Sequence, residues 1–124
     1  AHEDAIKILK EHGQGLRLIA HCFALGTKEA KDYLDLGCFI AVNGIITFEK
    51  KNEDILNAIP HIPMDKILIE TDCPFLTPVP FRGKQNMPSY VKYTFKKLAS
   101  IYQVNEDDLK QQLKKNAISA FLGN

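Results

Sequence analysis

Tryptophan is absent, methionine occurs only twice, and the three cysteines are an odd number with no CxxC spacing. Cys22, Cys38 and Cys73 each lie inside an apolar segment, so neither a disulfide framework nor a structural zinc site is implied; they read as reduced core residues. An excess of one charge is lacking too. Sixteen Lys and Arg face fifteen Asp and Glu, for a formal net charge of +1, so bulk charge neither demands a polyanionic partner nor excludes one, and any basic patch has to be local. No apolar run approaches the roughly 18 residues that span a bilayer, and no basic leader with an apolar core opens the sequence. The chain is therefore read as cytoplasmic, with no membrane partner.

What is present fits a folded domain. Hydrophobic residues make up 45% and charged residues 25% of 124 positions, enough apolar mass for one modest core in a single domain covering 1–124. Stretches of helical period alternate with near-continuous apolar runs. EDAIKILKEHG places Ala5, Ile6 and Leu9 on one helical face before a Gly13 stop. LRLIAHCF, residues 16–23, is a strand-length run, and TKEAKDYLDLG follows as a helix with Thr27 as its N-cap. CFIAVNGIITF, residues 38–48, is the second strand; NEDILNAIP is a short helix capped by Asn52; DKILIETD, residues 65–72, is the third strand. After a loop rich in Pro, Gly and basic residues come two helices. Val91, Phe95, Leu98 and Tyr102 stripe the first, and Leu109, Leu113, Ala117 and Phe121 the second, beyond an Asn105 cap. Apolar strands separated by helices predict an α/β fold with about three parallel strands covered on both faces.

In such folds the loops leaving the carboxyl ends of the strands form the crevice, so polar residues at strand ends are informative. His21 ends the first strand and Asp72 the third. Alternation places His21 with Ile19, and Asp72 with Leu68 and Glu70, so both extend inward-facing columns. Imidazole and carboxylate at neighbouring strand ends can bind a divalent metal and activate water. The plain alternative is a hydrogen-bonded core histidine and an aspartate capping its loop. His12 and His61 read as a helix-end and a connection residue, and His2 is not promoted to a ligand.

The segments HCFALG, GIITF, ILIETDCPFLTPVPFRGKQNMP and NAISAFLGN together resemble the C-terminal part of TatD-type deoxyribonucleases, whose motifs run HCFSGS, ETDSP and RGKxNEP. The resemblance covers essentially the whole chain. It implies a portion of a TIM-like (β/α) barrel, one or two divalent ions (Mg, Mn or Zn), and hydrolysis of phosphodiester bonds in DNA. It also makes His21 and Asp72 metal ligands, with Asp72 the acceptor of a proton from the nucleophilic water. Glu70, one step deeper on the same face, is expected to support the ligands rather than bind the ion. In the basic loop, Arg82, Lys84 and Asn86 are the candidate substrate contacts, with Gly83 allowing close backbone approach. Asn86 could equally brace a turn.

Departures from the pattern are Cys73 for Ser, Ala24 and Leu25 for Ser and Gly, and Met87 for Glu. The family's N-terminal HxH pair, its glutamate and its mid-chain histidine have no counterpart here. A complete barrel needs about 250 residues. Two ligands of a larger set remain, and the exposed strand edges imply association with a second copy or with the missing N-terminal half. The alternative function is a non-catalytic half-barrel, or a related amidohydrolase acting on another ester or amide.

Overall fold

A computed structural model describes residues 1–123. Helix α1 (His2–His12) leads to β1 (Ile19–Ala20), α2 (Thr27–Asp35), β2 (Phe39–Val42), α3 (Glu53–Ala58), β3 (Ile67–Ile69), α4 (Val91–Tyr102) and α5 (Glu106–Leu122). The three strands form one parallel sheet in the order β1-β2-β3, with Ile19 opposite Phe39 and Ile40 opposite Ile67. Parallel pairing requires crossovers, and α2 and α3 lie in those connections.

Both faces of the sheet are covered, as the apolar runs require. Ile40, Val42 and Ile67 join Ile55, Ile59 and Leu98 in the main core on one face. The alternate residues Phe39, Ala41 and Leu68 pack with Ala117 and Ala120 on the other. Helix α5 therefore serves both faces: Leu109 and Leu113 belong to the main core, and its last turns cross to the second. Asn116, buried in α5, donates to the carbonyls of Met64 and Ile67, at 2.7 Å each, and so fixes the helix to the start of β3.

The strands are shorter than the apolar runs. Residues 16–23 supply only Ile19–Ala20, residues 38–48 only Phe39–Val42, and residues 65–72 only Ile67–Ile69. The second run breaks because Asn43 caps a 3-10 turn, Gly44–Thr47, accepting the Ile45 N–H at 3.0 Å. Two expected caps also differ. Gly26, not Thr27, precedes α2, and Asn52 precedes α3 without capping it; its amide instead donates to the carbonyls of Ile45 and Phe48. Asn105 does cap α5, accepting the Asp108 N–H at 2.8 Å. The closing residue of NAISAFLGN, Asn124, lies outside the described residues.

Candidate active site

The residues that follow the three strands converge at one end of the sheet. His21 follows β1, Asn43 follows β2, and Glu70 follows β3, where its N–H still donates to Val42 and extends the ladder by one bond. Nε2 of His21 lies 2.7 Å from Oε2 of Glu70. Both line an apolar cavity of about 420 Å³ with Ile19, Ala41, Leu68 and Phe121, so the alternation that puts them on one face is realised in space. The Glu70 side chain is 13% exposed and that of His21 68%. Burial pushes the Glu70 carboxyl up, opposed by His21, by the Cys22 backbone N–H and by the Asn43 amide.

Asp72 departs from the expected column. Strand β3 stops at Ile69, and Asp72 sits in a left-handed turn at φ 57°, so the loop aims its carboxylate and not the pleat. Its Oδ2 lies 4.0 Å from the Cys22 sulfur. Cys22 has φ 53°, so the loops after β1 and β3 both enter the site through a backbone region costly for a non-glycine residue. Cys22 is consequently no core cysteine. Its thiol accepts from Asn43 at 3.0 Å, and burial raises its pKa.

Asn43 is not singled out by the sequence. It is 1% exposed, and its amide nitrogen reaches both Cys22 and, at 3.4 Å, Oε1 of Glu70. Asn-Gly before an apolar run signals a turn, which is correct, but says nothing of the carboxylate that the side chain meets.

The basic loop divides. Asn86 is buried and donates to the carbonyls of Thr71, at 2.6 Å, and Phe75, at 2.8 Å, while its oxygen accepts the Met87 N–H. Both of its amide protons go to backbone carbonyls and its oxygen takes a backbone N–H, so in this structure it braces the loop, the alternative role that the sequence offers for it. Arg82 and Lys84 are exposed. The Arg82 guanidinium lies 4.0 Å from the Phe48 ring centroid and donates to the Thr77 carbonyl at 3.3 Å, and the Lys84 ammonium is 5.5 Å from the Phe81 centroid.

The donors suit a divalent ion in kind, since imidazole and carboxylate serve several metals. They fall short in number. Among the described residues no group of three or more His, Cys, Asp and Glu could hold a metal ion, whereas a catalytic zinc keeps three protein ligands.

A family model described as TatD related DNase matches residues 1–122. The chain belongs to this family. An uncharacterized metal-dependent hydrolase of Bacillus subtilis, YabD, is 39% identical over 124 residues, covering 98% of this chain and 48% of that protein. Another from Escherichia coli, YcfH, is 37% identical over 112 residues, covering 90% of this chain and 42% of its own length. The crystal structure of the Escherichia coli TatD homologue YjjV superimposes with a TM-score of 0.91 at 26% identity, over 99% of this chain and 47% of that one. A TatD-family hydrolase from Entamoeba histolytica, 20% identical, shares the fold with a TM-score of 0.84, over 98% of this chain and 48% of that one. The chain thus has the fold of a TIM-like barrel portion, and it spans about half the length of the curated TatD relatives it matches.

Proposed function

We propose that this chain carries one side of the active site of a metal-dependent TatD hydrolase that cleaves phosphodiester bonds in DNA. The observation that carries the reading is the 2.7 Å contact between His21 and Glu70, with Asp72 beside it on a left-handed turn. Metal-binding histidines commonly donate their second ring N–H to a carboxylate, which fixes the tautomer and the ring direction. Were Nε2–H given to Glu70, the lone pair of His21 would lie on Nδ1, where it could meet an ion. Asn43 holds the other oxygen of Glu70 in place.

A divalent ion, when bound, supplies Lewis-acid polarisation of the phosphoryl group and an activated water. Asp72, on the second loop, would help to hold the ion and would accept the proton of the attacking water. Arg82 and Lys84, on the loop that follows Asp72, contribute positive charge for the phosphates that flank the cleaved bond. Because only two donors are offered among the described residues, the chain by itself is expected to be inactive, and the remaining ligands would come from the part of the TatD fold that its longer relatives contain.

The choice of DNA over other esters and amides is tested by incubating the complete protein, with Mg or Mn and with chelator, with DNA, a phosphotriester and a cyclic amide. Turnover of DNA that the chelator abolishes supports the reading. Turnover confined to the triester or the amide excludes it.

A further inference from the structure

Away from the His21–Glu70 pair, a cleft of about 710 Å³ opens between the loop that follows β2 and the loop carrying Arg82. Phe48, Glu49, Lys50 and Lys51 line one wall, and Pro80 and Arg82 the other. We propose that this cleft is a second, non-catalytic subsite that binds the phosphates of a single-stranded nucleic acid beyond the cleavage point. The proposal rests on the function proposed above for the identity of the polymer. The subsite itself stands on the cleft.

Positive charge outweighs negative in its lining, with Lys50, Lys51 and Arg82 against Glu49. Lys50, Lys51 and Arg82 are exposed, and among the described residues none of them is within ion-pair distance of a carboxylate, even with Glu49 adjacent in sequence. Three cations from two loops surround a concavity, a layout that gathers phosphates and not a single counter-ion.

Its walls are also fixed before any ligand arrives. Thr47 accepts the Val79 N–H at 2.8 Å while its hydroxyl donates to the Gly44 carbonyl at 2.7 Å, tying the two loops together. Buried Asn52 holds the Ile45 and Phe48 carbonyls from beneath. Arg82 lies over the Phe48 ring and is anchored by one nitrogen to Thr77. Stacking that leaves the guanidinium edge free is the arrangement in which arginine takes a phosphate in a fork while the ring offers a face to a base.

Aromatic surface continues beyond the cleft. Phe81 stacks on Tyr90 with centroids 4.5 Å apart and planes at 11°, Tyr93 meets both edge-on, and Lys84 and Lys92 lie against these rings. Cations interleaved with ring faces suit unpaired bases on a charged backbone. A duplex, whose bases are already stacked, has no use for the rings.

The test is binding of a labelled single-stranded DNA oligonucleotide to the chain, with chelator present so that no metal site contributes, followed by fluorescence anisotropy across a salt series. Lys50→Ala with Lys51→Ala is expected to weaken binding and to shrink the slope of log affinity against log salt by about 1.4, at roughly 0.7 for each single-strand phosphate that is no longer neutralised. Phe48→Leu is expected to weaken binding with the slope kept, since it removes stacking and no charge. Both lysines are exposed, so the double variant keeps the fold, which circular dichroism verifies. Unchanged affinity and slope in the lysine variant overturn the proposal. DNA cleavage by the complete protein with no role for Lys50 and Lys51 in binding would leave the catalytic reading standing and remove the subsite. Binding that depends on them, without DNA turnover, would do the reverse.

Discussion

At the scale of single residues, Glu70 is where the competing forces meet. Desolvation raises its pKa from the usual 4.5, and His21, the Cys22 N–H and Asn43 pull it back only in part, while Asp72 adds to the rise. The folded protein then holds this proton to higher pH than the unfolded chain does. The stability that protonation contributes is fully present below about 4.5 and is lost as pH rises through the raised value. In the presence of chelator, Glu70→Gln is therefore expected to unfold at higher urea than the native chain at pH 7 and at the same urea near pH 4. An equal difference at both pH values would show that the ionisation of Glu70 is not involved. Sequence alternation finds Glu70 and His21 because a strand's period of two is local. It cannot find Asn43 or Cys22, whose roles depend on which loop end lies beside which, and it extends the column to Asp72 because nothing in ILIETD marks where the pleat ends.

At the scale of elements, the sheet is a short platform and the loops hold the geometry. Apolar runs of eight to eleven residues yield strands of two to four because their ends are drawn into turns by side-chain caps and left-handed residues, which hydrophobicity does not register. Helices are more legible: their period repeats over more residues, and the Asn105 cap is read directly from sequence. The loops after β2 and β3 touch at Gly44. A Cβ there would collide with the Leu76 carbonyl oxygen and lie 3.1 Å from the Pro78 nitrogen. Gly44→Ala must push the β3 loop away and is expected to cost about 1–3 kcal/mol, the usual range for overpacking, seen as a lower urea midpoint. A midpoint equal to that of the native chain would mean that the two loops are not held together.

At the scale of the whole molecule, β1 and β3 are each paired on one side only among the described residues, and Leu16, Phe121 and Leu122 stand 63%, 64% and 74% exposed, with Phe121 lining the cavity on the sheet's second face. Unpaired edges next to apolar surface promote association. Light scattering is expected to give a mass above that of one chain; a sharp monomeric mass at every concentration would contradict this. No helix among the described residues is long and apolar enough to cross a membrane. The family is legible in ETDCP and RGKQNMP, since both motifs hold their order and spacing along the chain, whereas the number of metal donors the chain can gather is a matter of three-dimensional placement.

The central claim, that the strand ends of this chain form part of a metal-dependent hydrolytic site, is tested most directly by DNA hydrolysis in the complete protein beside its Asp72→Asn variant, with Mn and with chelator. The account predicts chelator-sensitive cleavage in the native protein and none above background in a variant that folds normally. Undiminished cleavage by Asp72→Asn would contradict it.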